Sequence, residues 1–266
     1  MTERYRVAAV EKALAVLEIF AEPPHRFTLS EVAARTGMSS NQIFRLLQTL
    51  SAAGWLRHAQ DSGLYSLGPR PFGLVRALFL GNEFVVAGRE PLQWAHDETR
   101  ETVALLALDS DGSTTCVDVR ESSHPLMVAQ MLGARSPENH AGAAARVFLA
   151  AKPDAGVERF LTSHGPLERL TPWTIVDPDQ LRADLIQVRQ QGYAVSDQEV
   201  AVGMYGVAAP IYDRREALGG AVTLSAPIPG AGAGGQAPPI VGVTEAARSI
   251  STNLGSRAVQ AARNSA

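Results

Sequence analysis

Residues 27–56, with the sequence FTLSEVAARTGMSSNQIFRLLQTLSAAGWL, decide the fold of the first part of the chain. Thr28 and Glu31 have the spacing of a capping box, which predicts a helix that begins after Thr28 and ends at Gly37. After a short turn, the apolar spacing predicts a second helix over residues 40–53. Two helices joined by so short a turn are typical of a helix-turn-helix.

The sequence on either side of this stretch adds a preceding helix and a following hairpin. Residues 8–21 predict an amphipathic helix. Its predicted buried face consists of Val10, Leu14, Leu17 and Ala21, with Ala13 and Phe20 beside them. Residues 55–59 and 64–68 predict two short strands around an Asp-Ser-Gly turn, which is a hairpin signature. Three helices followed by a hairpin have the order of a winged helix-turn-helix.

The second helix of such a motif places its N-terminal residues on base edges in the major groove. Asn and Gln can bond adenine there, and Arg can bond guanine or a phosphate. The residues predicted to bind DNA are Thr28, whose helix N-terminus can face a phosphate, then Ser39, Ser40, Asn41, Gln42 and Arg45, and Arg57 in the wing. His58 and Gln60 also lie where a wing can meet DNA. The pattern alone leaves an ordinary solvated helix face open as the alternative.

The pattern changes beyond residue 101, where strands alternate with helices. Strands are predicted over residues 102–108, 114–119, 126–131, 193–196, 207–212 and 218–225. Helices are predicted over residues 72–82, 91–100, 141–151, 155–163, 179–191 and 240–262, with a Gly-, Pro- and Ala-rich loop over 226–239. This interleaving indicates an α+β domain with a largely antiparallel sheet.

The length of 266 residues exceeds that of one ordinary domain. We therefore predict a DNA-binding domain over residues 1–69, a linker helix over 70–83 and a second domain over 84–266. The net charge of −3 divides into +2 for residues 1–70 and −5 for the remainder. A mildly basic head on an acidic body suits a DNA-binding head.

Cysteine content and hydropathy indicate the cellular compartment in which the protein works. Cys116 is the single cysteine, so no disulfide can form within the chain and no cysteine-based metal cluster is expected. Charged residues within the apolar N-terminal region argue against a signal peptide, and Arg76 interrupts an apolar run that is far too short to span a bilayer. These features predict a soluble cytoplasmic protein that has no membrane contact.

An enzyme is the main alternative class. The sequence contains no G-x-S-x-G elbow, no P-loop and no G-x-G-x-x-G after a strand. The six histidines are scattered, and none has a second histidine four positions away. We therefore expect no catalytic residues, no metal and no cofactor. A small-molecule sensor that binds no DNA, or an enzyme built on the second domain, stays open as the alternative.

Several motifs, taken in order, resemble those of the IclR family of transcriptional regulators. In the first domain they are VEKALAVLEIFAE, FTLSEVAARTGMSSNQIFRLLQTLSAAGWL and YSLGPRPFGL. Further along they are RETVALLAL, MLGARSP, TPWT at 171–174, LRADLIQVRQQGYAVSDQE, VGMYGVAAPIYD and SISTNLG, so the resemblance covers roughly residues 7–256. It implies a winged helix-turn-helix, a linker helix used in dimerisation and a GAF-like effector-binding domain. It also implies a homodimer, or a dimer of dimers, on a pseudo-palindromic operator in double-stranded DNA.

The resemblance also implies where an unknown small-molecule effector binds. Carried over by motif, the effector-binding residues are Ala144, Ala145, Ser196, Met204, Gly206, Thr223 and Ser225, with Asp197 and Glu199 beside them. Thr223 and Ser225 alternate along a strand, so both hydroxyls can face one cavity. Alternation of this kind is also common in strands that bind nothing.

Departures from the family pattern bear on which effector binds. Ala145-Arg146 stands where many relatives have Gly-Lys, Ala104 where many have His, Gly206 where many have Cys, and Ser196 where some have Asp. Fewer ionic and polar anchors suggest a more apolar or aromatic effector, or none. In the reading helix, Asn41-Gln42 replaces the usual Ser-Thr pair. The bases that other members read therefore do not transfer to this chain.

Overall fold

The buried side chains form separate clusters before and after residue 82. The structure, a computed structural model, describes residues 7–228 and 240–257. The chain divides into two compact units, Met1–Gly81 and Asn82–Ala266. The predicted linker helix at 70–83 spans this division, and its role as a separate linker stays a prediction.

The first unit is a winged helix-turn-helix, as predicted. Its elements are α1 (Ala8–Ile19), β1 (Arg26–Thr28), α2 (Leu29–Thr36), α3 (Ser40–Ala52), β2 (Leu56–Ala59), β3 (Leu64–Leu67) and α4 (Arg70–Gly81). The strands form an antiparallel sheet in the order β1-β3-β2. β1 was not predicted, because three residues beside a helix cap carry too little alternation to be recognised.

The local signals around the helix-turn-helix take the predicted geometry. The Thr28 hydroxyl accepts a hydrogen bond from the Glu31 amide, and the Glu31 carboxylate accepts one from the Thr28 amide at 2.7 Å. α2 ends at Gly37, whose φ of 69° is the left-handed conformation that glycine adopts without steric cost. The capping-box prediction is therefore confirmed.

The predicted buried face of α1 is only partly confirmed. Leu17 packs against the core, and Phe20, predicted beside this face, is fully buried with Val16. Val10 and Leu14, however, are each 54% exposed. The sequence AAVEKALAVLEI is apolar on most sides, so its periodicity does not single out one face. Tertiary packing makes the choice and leaves an apolar strip of α1 on the surface.

The second unit contains one six-stranded sheet between two layers of helices. Its elements are α5 (Glu83–Thr99), β4 (Thr102–Leu108), β5 (Thr114–Arg120), β6 (Arg135–Ser136), α6 (Ala143–Ala150), α7 (Asp154–Ser163), α8 (Pro178–Gln191), β7 (Ala194–Asp197), β8 (Met204–Tyr212), β9 (Leu218–Pro227) and α9 (Ile240–Asn253). The strand order is β6-β5-β4-β9-β8-β7, and every pair is antiparallel. The predicted α+β class is confirmed.

Successive side chains of the central strand β9 enter the cores on opposite faces of the sheet. Val222 and Leu224 join the core formed with α5 and α9. Ala221 joins the opposite core, which α6, α7 and α8 complete. Because successive side chains of a strand point to opposite faces, Thr223 and Ser225 lie on the α6 side. This alternation brings the predicted effector residues to one face.

α5 extends further than predicted. It begins after Asn82, whose side chain accepts the amides of Phe84 and Val85, and it continues through Pro91 instead of starting there. Proline has no N–H to bond the carbonyl four residues earlier, which is that of Ala87. The Asn253 side chain in α9 donates to this carbonyl at 3.2 Å, so the helix continues without an orphaned acceptor.

Two other predicted elements differ from the structure. Residues 126–131 are not a strand but part of the loop between β5 and β6, where Leu126 and Met131 are at least 70% exposed. β5 pairs instead with the two-residue strand β6, so the apolar run has no sheet partner. The predicted final helix over 240–262 ends at Asn253, and residues 258–262 lie outside the described residues. Most of the predicted loop over 226–239 also lies outside them.

No single helix of the described ranges is long and apolar enough to cross a membrane. α4 and α5 reach the length and apolar content of a membrane span only if the two are counted as one helix with a bend between them.

A substitution at Gly220 tests the close packing of the second unit. A Cβ there would lie 2.1 Å from the Leu106 carbonyl oxygen and 2.4 Å from the Phe84 ring. We expect Gly220→Ala to lower the free energy of unfolding by about 2 kcal/mol, because backbone and ring must both move. Gly219→Ala is the matched control, since its nearest contact would be an ordinary 3.6 Å. Denaturant titration giving equal losses for both variants would contradict this packing.

Candidate DNA-binding surface and effector cavity

α3 separates an apolar face from a polar one. Ile43 and Leu47 are fully buried in the core of the first unit. The predicted base-reading positions, Ser39, Ser40, Asn41, Gln42 and Arg45, are all exposed. The Arg45 guanidinium makes no hydrogen bond or ion pair with another described residue, so all its donors are available to a ligand. The structure therefore brings these five residues together at the start of one solvent-facing helix.

Three of the predicted DNA-binding residues already make hydrogen bonds within the protein: Thr28, Ser39 and Gln42. The Gln42 side-chain oxygen accepts from the Ser39 amide at 3.3 Å and from its hydroxyl at 3.2 Å, which completes a second capping box. A bidentate bond from Gln42 to adenine requires this box to open. At Thr28, the Glu31 carboxylate lies at the helix N-terminus where the sequence prediction places a phosphate. The DNA-binding roles of all three residues stay predictions.

The wing presents a pair of arginines. Arg57 on β2 and Arg26 on β1 both lie opposite Ser66 of the central strand β3, so the three form one row across the sheet. Both arginines are exposed. Arg26 was missed because its strand was not predicted. His58 instead stacks on Tyr65, with ring centroids 4.2 Å apart.

The second unit contains a cavity of about 280 Å³ between the sheet and α6. All seven residues predicted to bind an effector line it: Ala144, Ala145, Ser196, Met204, Gly206, Thr223 and Ser225. Ser196, Gly206 and Ser225 form one cross-strand row through β7, β8 and β9. Apolar lining comes from Leu106, Phe148, Leu149 and Val200, which sequence reasoning did not identify because they come from separated elements. Their role in binding, like that of the seven, remains to be tested.

The N-terminus of α6 opens into this cavity. Its N-cap is Gly142, which is buried, has a φ of 92° and provides no side chain to cap the helix. The amides of Ala143, Ala144 and Ala145 therefore have no intrahelical acceptor. The positive end of the helix dipole adds to these donors and favours an electron-rich ligand group.

Arg146 does not line the cavity but anchors its wall. The guanidinium lies 3.0 Å from an Asp184 oxygen and 2.8 Å from a Glu199 oxygen, and it also donates to the Val195 carbonyl. The Arg146 side chain is only 3% exposed. Thus α6 is tied to α8, β7 and the segment after β7.

The buried Arg146 guanidinium faces the carboxylates of both Asp184 and Glu199. Burial raises the pKa of Glu199, Arg146 opposes this effect, and the Asp184 carboxylate adds to it. The backbone of Glu199 is held separately, since the Thr174 hydroxyl donates to its carbonyl at 2.7 Å. The Thr171 hydroxyl similarly donates to Gln198. These contacts hold the segment that carries Val200 into the cavity wall.

Metal-binding side chains do not converge in the part of the chain that the structure describes. It contains no group of three or more His, Cys, Asp or Glu residues placed to hold a metal ion. Cys116 is buried, which raises the pKa of its thiol to about 11. A thiol with so high a pKa is a poor nucleophile at neutral pH.

Known protein families account for both units. Residues 85–252 match the family described as bacterial transcriptional regulator IclR, C-terminal, and residues 9–60 match the IclR helix-turn-helix domain. The chain belongs to the IclR family. IclR-family members are DNA-binding transcriptional regulators with a C-terminal effector-binding domain, and so is this protein; its relatives are regulators and not enzymes.

Individual IclR-family proteins are similar over most of the chain. The Transcriptional repressor IclR of Escherichia coli is 31% identical over 225 residues, which cover 84% of this chain and 81% of that protein. The structure of a transcriptional regulator from Rhodococcus sp. RHA1 has a TM-score of 0.79 at 27% identity, covering 94% of this chain and 98% of that one. An IclR homologue from Microbacterium hydrocarbonoxydans, complexed with 4-hydroxybenzoate, has the same fold, with a TM-score of 0.79 at 23% identity, and covers 93% of this chain and 99% of its own.

The buried Arg146 cluster gives a stability prediction. We expect Arg146→Met to lower the free energy of unfolding by about 3 kcal/mol or more at pH 7.5, because two carboxylates lose their buried cation. Adding Glu199→Gln should recover part of the loss, since one uncompensated charge disappears. Additive effects of the two substitutions in denaturant titrations would show that the residues do not interact.

The same variant should depend on pH in a defined direction. Without Arg146, the pKa of Glu199 rises further above its ordinary value of 4.5 in the folded state. The folded state then binds more protons than the unfolded state above pH 4.5, so stability falls as pH rises through this window. The deficit of Arg146→Met should therefore be smaller at pH 5 than at pH 7.5.

Proposed function

We propose that α3 reads a pseudo-palindromic operator, with Arg45 and Asn41 on bases or phosphates and Arg57 of the wing on the backbone. The observation that carries this proposal is the exposed polar start of α3 above a fully buried apolar face. The Arg26–Ser66–Arg57 row supports it, because two exposed guanidiniums on one sheet face suit the sugar-phosphate backbone.

We propose further that the protein acts as a homodimer or a dimer of dimers, with a second copy covering α4. None of the described residues of α4 is buried. Five of its six large apolar side chains are between 42% and 76% exposed: Phe72, Leu74, Val75, Leu78 and Leu80. Contiguous exposed apolar surface of this kind marks an interface. A two-fold dimer would present two copies of α3 to half-sites about 34 Å apart.

The cavity of the second unit is proposed to hold the effector. Ser196, Thr223 and Ser225 provide hydroxyls, the start of α6 provides amides, and the middle of the cavity is apolar. This lining suits an apolar or aromatic molecule that carries at least one hydrogen-bond acceptor. The effector changes operator binding only through its different affinities for the DNA-competent and incompetent arrangements.

The alternative of a sensor or enzyme that binds no DNA is not favoured, because the relatives are DNA-binding regulators. A protein whose partner is the operator is expected to work in the cytoplasm.

Arg45→Ala tests the reading helix. We expect specific binding to a fragment from the gene's own upstream region to be lost, while folding is retained because alanine suits an exposed helix position. Arg159→Ala removes the same charge from an exposed site in the second unit and is the matched control. Binding should be measured by fluorescence anisotropy against salt concentration. Equal affinity of the Arg45 variant and the parent protein would refute the assignment of α3.

Removal of the cavity hydroxyls of Thr223 and Ser225 tests effector binding. A metabolite library is first screened for compounds that release the operator fragment from the parent protein. Thr223→Val and Ser225→Ala together should weaken the response to the active compounds by about tenfold, because two hydrogen bonds are removed. Operator affinity without compound should be unchanged. A full response in the double variant would mean that the effector binds elsewhere.

A further inference from the structure

One acidic residue, and no basic one, lines the proposed effector cavity among the residues that the structure describes. It is Glu138, in the segment between β6 and α6. Gly112, in the turn between β4 and β5, also lines the cavity. A Cβ at Gly112 would lie 3.5 Å from each carboxylate oxygen, so the carboxylate packs directly against the cavity wall.

The carboxylate has unused accepting capacity. Its Oε1 atom lies 2.8 Å from the Lys152 ammonium, just after α6. Oε2 has no hydrogen bond or ion pair with any described residue. A carboxylate offers about four acceptor positions, and a single lysine uses one of them. The remaining positions favour a ligand group that donates hydrogen and disfavour one that only accepts.

The cavity has two polar ends, one at the row of hydroxyls and one at Glu138, and they lie at opposite ends of strand β4. The hydroxyl row reaches β4 at Thr102, which pairs with Ser225. The Glu138 end lies beside the β4–β5 turn, beyond the pairing of Leu108 with Thr114. Amides and hydroxyls at the first end donate. At the second end the Glu138 carboxylate accepts, and polar side chains near it also line the cavity: Thr114, Gln130, Ser136 and Asn139. Apolar side chains, including Leu106 and Phe148, lie between the two ends.

We propose that Glu138 is a specificity-determining residue that selects an elongated effector carrying a hydrogen-bond-donating group, hydroxyl or amine, at the end remote from its acceptor group. This inference rests on the proposed effector role of the cavity and adds the chemical class of ligand. An effector that has accepting groups at both ends is disfavoured, because its second acceptor would face a carboxylate that can itself only accept hydrogen bonds.

The test uses the full-length protein and a defined set of probes. These are benzoate, phenylacetate and 3-phenylpropionate, each with hydrogen, methoxy, hydroxyl or aminomethyl at the para position. The carboxylate is constant, the chain length is varied, and only the far group changes its donor character. Affinities are measured by titration calorimetry on the parent protein and its variants.

For the best-fitting chain length, we expect hydroxyl and aminomethyl probes to bind about tenfold more tightly than the methoxy analogue, since hydrogen bonds to charged groups are strong. Glu138→Met should abolish both preferences. Glu138→Gln should abolish the aminomethyl preference and retain part of the hydroxyl preference. Lys152→Met is the control for a role through the ion pair alone, and it should leave both preferences intact or increase them.

Three results would overturn the inference: equal binding of methoxy and hydroxyl probes, a donor preference that survives in Glu138→Met, or no binding by any probe. The proposed effector site is judged separately. If Thr223→Val with Ser225→Ala weakens all the probes alike while the donor preference is absent, the cavity is the effector site and only the role of Glu138 fails. DNA reading is independent of both, because operator binding by the Glu138 variants is measured without probe.

Discussion

The C-terminal domain depends on the alternation of side chains along β9, the central strand of its sheet. Val222 and Leu224 must face the layer of α5 and α9, where both are fully buried. Their neighbours Thr223 and Ser225 then face α6 without any further requirement on the sequence. A shift of one residue in register would move the apolar pair to the α6 face and place two hydroxyls in the core formed with α5 and α9. The cavity lining is therefore fixed by the same constraint that forms the core.

The second requirement is that α6 stays fixed above this face. Arg146 achieves this through charge, since it holds α8 and the segment after β7 together at a site that water scarcely reaches. Such a cluster is costly to desolvate and adds little net stability compared with apolar packing. Its benefit is geometric, because the guanidinium contacts groups on three separate segments at once. The family-based expectation that this position lies among the ligand anchors does not describe Arg146, whose side chain points into the protein.

Local signals were enough to predict the N-terminal domain and most elements of the second. Caps such as Thr28 and turns such as Gly37 depend on neighbouring residues, so the sequence contains all their determinants. The errors arose where distant residues decide. Asn253 compensates for Pro91 across 162 positions, and the sheet edge taken by β6 leaves residues 126–131 without a partner. For the site, the resemblance located seven lining residues, whereas no local pattern places Glu138 at the cavity. The Ser39–Gln42 capping box has a local spacing that the sequence does contain.

The helix N-termini distinguish the start of α6, at the cavity, from the starts of the other capped or exposed helices. α2, α3, α5 and α8 are each capped by a side chain, and α1 and α7 begin at exposed residues where water can bond their amides. α6 alone among these described helices begins at a buried residue with no capping side chain, since Gly142 and Ala143 are both buried. The first amides of a helix have no intrahelical acceptor, so where they face a cavity, water or a ligand group can bond them. A ligand that replaces that water with a better acceptor gains affinity from donors that the fold has already oriented.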